Sequence, residues 1–212
     1  QYANTWGVRG DPNLGWGFGR PSWELIQEMQ GDPRLDGTVA FVGETIEGIT
    51  INGDASTPDT TYNDQNEIVQ VECYNQKTLV PGNEPRYSWG FNRRLLRYAD
   101  VLLMAAEALN ENGKQGQALN YLNQVRERAR QDPSDLPDIT TTDQNALRDS
   151  IIRERHFELA LEGHRFWDLV RTGKAPEVLG PLGFVEGKHE LLPIPQDEIN
   201  TSEGAMTQNP NY

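Results

Sequence analysis

Residues 92–113, NRRLLRYADVLLMAAEALNENG, decide the fold. Leu95, Ala99, Leu102, Ala106 and Leu109 recur at alternating spacings of four and three, so they line one face of an α-helix. Asn92 is suited to cap its start, and Asn112-Gly113 supplies a left-handed stop. A second helix follows after about four residues, where Ala118, Leu122, Val125 and Ala129 repeat the spacing. A connection that short obliges the two helices to run antiparallel. Small residues at 105, 106, 108 and 118 let the backbones approach closely. The expectation is one helical hairpin of tetratricopeptide type, although a single hairpin is not an array.

Downstream, the Pro-rich QDPSDLPDITT leads into a third helix, with Thr142 or Asp143 as cap, running through QNALRDSIIRERHFELALEG. Gly163 breaks or bends it, and a further helix from about 164 to 172 ends at Gly173. Upstream, TWGVRGDPNLGWGFGR is too rich in glycine and aromatics for a regular helix and reads as loop. PSWELIQEMQGDPRL carries a short helix, with Ser22 as cap and Gly31-Asp32-Pro33 as stop. Residues 38–80 alternate weakly (TVAFV, EIVQVECY) around the polar tract NGDASTPDTTYNDQN, which predicts short strands flanking an exposed loop. The fold class expected is mainly α: a tetratricopeptide-like hairpin packed on further helices, with long irregular loops and a few short strands. Residues 1–91 form the loop-rich segment and 92–212 the helical region, together one domain.

Composition excludes several functions. The chain has 212 residues and a net charge of −13, without a basic stripe to neutralise phosphates, so nucleic acid is not an expected partner. Its single cysteine, Cys73, rules out an internal disulfide and a cysteine-based zinc cluster. No run of apolar residues is long enough to span a bilayer as a helix. The acidic tract from Asp54 to Glu67 lacks the ligand spacing of an EF-hand, and neither a metal nor a cofactor is expected.

The stretch EGHRFWDLVRTGKA, residues 162–175, has the residue types of an active site. Yet His164 has no Ser or Cys motif around it, and His156 lies eight residues away rather than at the helical ligand spacing of four. Charges here share faces with bulky apolar residues. Arg155, Glu158 and Arg165 therefore read as partly buried pairs that fix helices against one another, and His164 as a structural histidine. Trp23 and Trp167 read as core. The stretch is architecture.

Five blocks occur in order: LLRYADVLLMAAEALNENG, ALNYLNQVRERA, LRDSIIRERHFELALEGHRFWDLVRTGKA, LLPIPQDEI and TQNPNY. Together they resemble the C-terminal half of the SusD/RagB family, and GWGFGRPSWELIQEMQGDPRL resembles the lead-in to that half. The family's N-terminal half, signal peptide and lipid-bearing first cysteine have no counterpart here, so the chain is expected to be a C-terminal piece. The resemblance implies a non-catalytic surface lipoprotein of the Bacteroidota outer membrane, lipid-anchored on its extracellular face. Such a protein captures a glycan and passes it to a SusC-type TonB-dependent transporter barrel. Peptide-binding members exist, and a tetratricopeptide-type adaptor or a glycoside hydrolase are the competing readings. A hydrolase needs two carboxylates facing across a cleft, and no motif singles out a pair.

Sugar rings stack their C–H faces on aromatic side chains while their hydroxyls need polar partners, so loops carrying both are the expected ligand face. Trp6 and Trp16 lie in the glycine-rich loop, with Arg9, Asp11 and Asn13 between them. Tyr62 and Asn63 in the acidic loop form a second pair. Tyr87 and Trp89 are expected to anchor the long helix.

Overall fold

A computed structural model describes residues 6–9, 15–79 and 92–212. The chain forms two compact units, Gln1–Glu162 and Gly163–Tyr212.

In the first unit, α1 (Trp23–Glu28) and the short α2 (Leu35–Thr38) precede six strands: β1 (Val39–Phe41), β2 (Thr45–Ile46), β3 (Ile49–Thr50), β4 (Thr60–Tyr62), β5 (Ile68–Val71) and β6 (Cys73–Asn75). A 3-10 turn, Gln76–Thr78, follows, and then three longer helices: α3 (Tyr98–Glu111), α4 (Gln115–Ala129) and α5 (Gln144–Glu158). The hairpin expected from the heptad-like spacing is α3–α4, joined by Asn112–Lys114. Leu102, Leu103 and Ala106 of α3 meet Ala118, Leu122 and Val125 of α4, and Leu147 and Ile151 of α5 complete the cluster. Most of these side chains are fully excluded from water, and each buried Leu or Ile contributes roughly 1.5–3 kcal/mol.

α3 begins at Tyr98, five residues later than the Asn92 cap predicts, and Leu95 is 74% exposed rather than on the buried face. The reason lies at Arg97. Its backbone is extended (φ −137°, ψ 161°), and its guanidinium reaches Glu158 at the end of α5 and Glu162 just beyond it. α5 is capped by Asp143, whose Oδ1 accepts from the Ala146 amide at 2.8 Å. It ends at Glu158, before the expected break at Gly163. Two cations take its exposed carbonyls. Lys77 Nζ donates to the Glu158 and Ala160 oxygens at 2.9 and 3.0 Å, and Arg97 Nη2 donates to the Glu158 oxygen at 2.5 Å. Positive charge is favourable at the negative end of a helix dipole, and the chain then turns away through Leu161 at φ +63°.

β1 and β6 pair antiparallel, with Val39 opposite Asn75, Ala40 opposite Tyr74 and Phe41 opposite Cys73. Alternation sends successive residues to opposite faces. Val39 and Cys73 pack on Ile26 of α1, whereas Ala40 and Tyr74 pack on Val8 and Ile51. Leu25 of α1 and Met29 just after it meet Phe157 of α5 and Ala160 just beyond it, which joins the strand layer to the helices. The polar tract expected to be loop contributes β4, which pairs antiparallel with β5. Asn63 organises their turn, its Oδ1 accepting from the Gln65 and Glu67 amides at 3.0 and 2.9 Å.

The second unit holds α6 (Arg165–Arg171), α7 (Ala175–Leu179), a 3-10 turn (Gly180–Leu182) and α8 (Gln196–Thr201). Gln208 clasps Ile194 with both ends of its amide: its oxygen accepts from the Ile194 N–H at 2.8 Å and its nitrogen donates to the Ile194 carbonyl at 2.9 Å. LLPIPQDEI and TQNPNY are thus joined by side chains rather than by a sheet. Trp167, expected in the core, is 55% exposed, with Phe166 edge-on at 5.0 Å. Among the described residues, no helix is long and apolar enough to cross a membrane.

Candidate functional site: an aromatic loop and an arginine-lined cavity

The glycine-rich loop closes on itself. Gly15 N donates to Val8 O at 2.9 Å, and Gly17 N to Gly7 O at 3.1 Å. A Cβ at residue 15 would stand 2.6 Å from Gly7 O, so the two strands of the loop meet only because glycine is there. Arg9 pins the loop to the strand layer through Asp54, its Nε 2.7 Å from Oδ2. Asp54 in turn accepts from the Ser56 hydroxyl and amide at 2.7 and 3.1 Å. Those hydrogen bonds, with Arg9 beside them, hold the Asp54 carboxyl below the usual carboxylate range.

Trp16 stands 41% exposed on this loop, with Phe18 edge-on at 6.0 Å and itself 58% exposed. Trp6 is half-buried. Its ring lies where a Cβ on Gly19 would fall, at 1.7 Å, and Gly19 sits at φ +66°, so both space and backbone require glycine. Thr78 Oγ1 donates to the Trp6 carbonyl at 3.1 Å. Asn13 and Asp11 lie outside the described residues, as do Tyr87 and Trp89. Trp6, Arg9 and Trp16 therefore share one closed loop. Tyr62, 54% exposed, and Asn63 stand on the β4–β5 hairpin instead. Gln70 Nε2 ties that hairpin to the segment after the loop, donating to Pro21 O at 3.1 Å.

Sequence reading missed the second feature of this unit. A cavity of about 490 Å³ opens between the 3-10 turn, the start of α3 and the end of α5. Arg34, Lys77, Arg93, Arg94, Arg97 and Arg128 line it, against two carboxylates, Glu158 and Glu162. Glu158, 2% exposed, accepts from Arg97 Nη1 at 2.6 Å, from Arg128 Nη2 at 2.7 Å and from Arg34 Nη1 at 3.3 Å. Glu162 accepts from Lys77 Nζ at 2.7 Å and from Arg97 Nε at 2.6 Å. Behind them Glu154 bridges Arg34 and Arg126, and Asp32 grips Arg34 through Nε and Nη2 at 2.9 and 2.6 Å. A separate buried pair, Arg155 Nη1 to Asp100 Oδ1 at 2.7 Å, fastens α5 to α3. Arg155 and Glu158 thus occupy buried pairs as their positions predict, and Arg165 is half-buried in the second unit.

Burial works against the charges of Lys77, Glu162, Asp32 and Arg34, and the partners outweigh it in all but Lys77. Burial pulls Lys77 below the ordinary lysine range, with Glu162 only partly restoring it. Burial pushes Glu162 up, but the hydrogen bond from Arg97 and the charge of Lys77 outweigh it, leaving the carboxyl below its ordinary value. Asp32 is held low in the same way by Arg34. Arg34 is raised by Asp32 and Glu154 against the opposing effect of its own burial. The carboxylates are therefore engaged by cations as charge-bearing struts. The one cue to the cavity in the sequence is RRLLR at 93–97, a local excess of positive charge in an acidic chain.

Among the described residues, no group of three or more His, Cys, Asp or Glu side chains is placed to hold a metal ion. The loop presents Trp16 and Phe18 to water beside the Arg9–Asp54 pair. A sequence model of the SusD family matches residues 2–183. SusD-like protein P2 of Formosa agariphila is 32% identical over 229 residues, an alignment covering 99% of this chain and 44% of that protein. Among solved structures, a laminarin-binding SusD-like protein superposes with a TM-score of 0.68 at 32% identity, over 93% of this chain and 39% of that one. A SusD superfamily protein from Bacteroides vulgatus has the same fold, with a TM-score of 0.72 over 98% of this chain and 47% of that one, at 24% identity. The chain spans between 24% and 44% of the length of the curated relatives it matches.

Proposed function

The chain belongs to the SusD family, and from that membership we propose that it binds an oligosaccharide without altering it. In the whole protein, held at the outer face of the outer membrane by a lipid anchor, the bound glycan is handed to a TonB-dependent transporter. The ligand face is the glycine loop with Trp6, Arg9, Asn13 and Trp16, and the β4–β5 hairpin with Tyr62 and Asn63 extends it.

The observation that carries this reading is the exposed Trp16–Phe18 edge-on pair on a loop pinned by Arg9 and Asp54. An aromatic left in water on a segment tied down by backbone hydrogen bonds and an ion pair loses little entropy when a sugar face covers it. That the laminarin-binding structure superposes on nearly the whole chain supports the same reading. Networks of paired, buried carboxylates suit a scaffold better than a hydrolytic pair, whose acid needs a raised pKa.

The test is calorimetry and affinity electrophoresis of the chain against laminarin and a panel of other polysaccharides, with reducing ends assayed alongside. Saturable binding that Trp16→Ala removes, without reducing ends released, is expected. Binding unchanged in Trp16→Ala and Tyr62→Ala places the ligand elsewhere, and release of reducing ends overturns the non-catalytic reading.

A further inference from the structure

The arginine-lined cavity holds more positive charge than its own carboxylates use. Six cations face two carboxylates, in a chain whose net charge is −13. Counting the partners behind the wall, Arg34, Lys77, Arg97, Arg126 and Arg128 are bridged to Asp32, Glu154, Glu158 and Glu162. Five cations thus stand against four anions among the described residues before Arg94 is added. Arg94 makes no hydrogen bond or ion pair among the described residues. Among the described residues Arg128 bonds through Nη2 alone, to Glu158, and its side chain, which lines the cavity, is 59% exposed, so its other N–H groups are open to a ligand. α3, a helix of 14 residues, starts at the rim with Arg97 as its N-cap, whose own side chain does not cap the first amides. Its positive end therefore adds to the same field.

We infer that this cavity is a binding site for a carboxylate or sulfate group carried by a sugar, so that the glycan captured is an acidic one. The inference rests on the glycan-binding reading above. The forked donors of Arg94 and Arg128 match the planar or tetrahedral oxygens of such a group. The cavity volume lies within the ~300–1,000 Å³ typical of small-ligand sites. Thr78 lines the cavity and also donates to the backbone of Trp6, so one residue touches both the anion site and the aromatic loop. An acidic oligosaccharide then has its charge in the cavity and a neighbouring ring on the loop.

The experiment titrates wild type, Arg94→Ala, Arg128→Ala and Trp16→Ala with oligogalacturonate, laminari-oligosaccharide and sodium sulfate at matched ionic strength. Both arginines lie at the solvent edge, so their loss leaves the packed core intact, and circular dichroism checks this. Expected is oligogalacturonate binding that weakens about tenfold or more in each arginine variant and falls with added sodium chloride. Laminari-oligosaccharide binding, if present, is expected to respond to Trp16→Ala and not to the arginines. Oligogalacturonate affinity unchanged in both arginine variants overturns the inference. So does sodium sulfate that competes as well as the oligosaccharide does, since the cavity is then a site for a free inorganic anion. Loss of all saccharide binding in wild type, with sulfate still bound, overturns the glycan-binding reading itself and with it the sugar half of this inference.

Discussion

Glu158 offers a test in which one ion pair is cut from its two ends with different expected costs. Its carboxylate is 2% exposed and accepts from three arginines, whereas Arg128, one of the three, is 59% exposed. Each pair has a gross attraction of about 4 kcal/mol at an effective dielectric near 20, offset by the several kcal/mol of dehydrating a carboxylate and by repulsion among the arginines. Glu158→Gln keeps the shape and removes the charge, which leaves Arg34 with the carboxylates of Asp32 and Glu154 and Arg97 with that of Glu162, their mutual repulsion no longer screened by the buried carboxylate. Breaking a buried pair in this way costs about 3–5 kcal/mol, a large share of the ~5–15 kcal/mol that holds a domain folded. Arg128→Ala removes the same pair from the exposed end and leaves Glu158 with two partners, so its cost is below ~1 kcal/mol. Urea denaturation followed by helical circular dichroism at 222 nm reads both. With a slope near ~3 kcal/mol/M, the midpoint falls by about 1–1.7 M for Glu158→Gln and by under ~0.3 M for Arg128→Ala. Equal shifts, or a Glu158→Gln loss below ~1 kcal/mol, would refute the view that this carboxylate is a buried strut.

Three further outcomes are expected. Burial pushes the Cys73 thiol up to about 12, so a thiol reagent at pH 8 should label it only after unfolding; rapid labelling of the native chain would contradict its burial. Asp32 and Glu162 are both depressed in the folded state, so each contributes stability that is full above its unfolded value and lost as pH falls through its folded value. Wild type should therefore lose stability steadily below about pH 4.5, and Glu162→Gln should lose less over the same window, since it lacks that titration. Leu122, fully buried between α3 and α5, should cost about 2–5 kcal/mol as Leu122→Ala in the same urea assay, and a near-neutral effect would mean the helices do not close on it.

The hairpin was legible because helix faces repeat locally: the spacing of Ala118, Leu122 and Val125 is carried by the chain itself. Caps were legible for the same reason at Ser22 and Asp143, where the side chain reaches an amide three residues on. The start of α3 was not, because nothing within a few residues of Arg97 says that its partners are Glu158 and Glu162, more than sixty positions away. The end of α5 was hidden likewise, since Lys77 supplies its cap from the strand layer. Of the candidate ligand face, the aromatic residues could be picked by type, but the Arg9–Asp54 clamp that fixes them joins residues forty-five apart. The cavity was invisible as a unit because its six cations come from four separate segments.

That dispersal has a kinetic consequence. The α3–α4 hairpin closes through three connecting residues, so its contacts are local and quick to form. The arginine–carboxylate network needs residues 32–34, 77, 97, 126–128 and 154–162 in place together, and long loop closures precede any reward from it. It is therefore expected to assemble after the main barrier. Substitutions such as Glu158→Gln should then hasten unfolding while leaving the refolding rate nearly unchanged, which makes the network a brake on the way out of the native state rather than a guide on the way in.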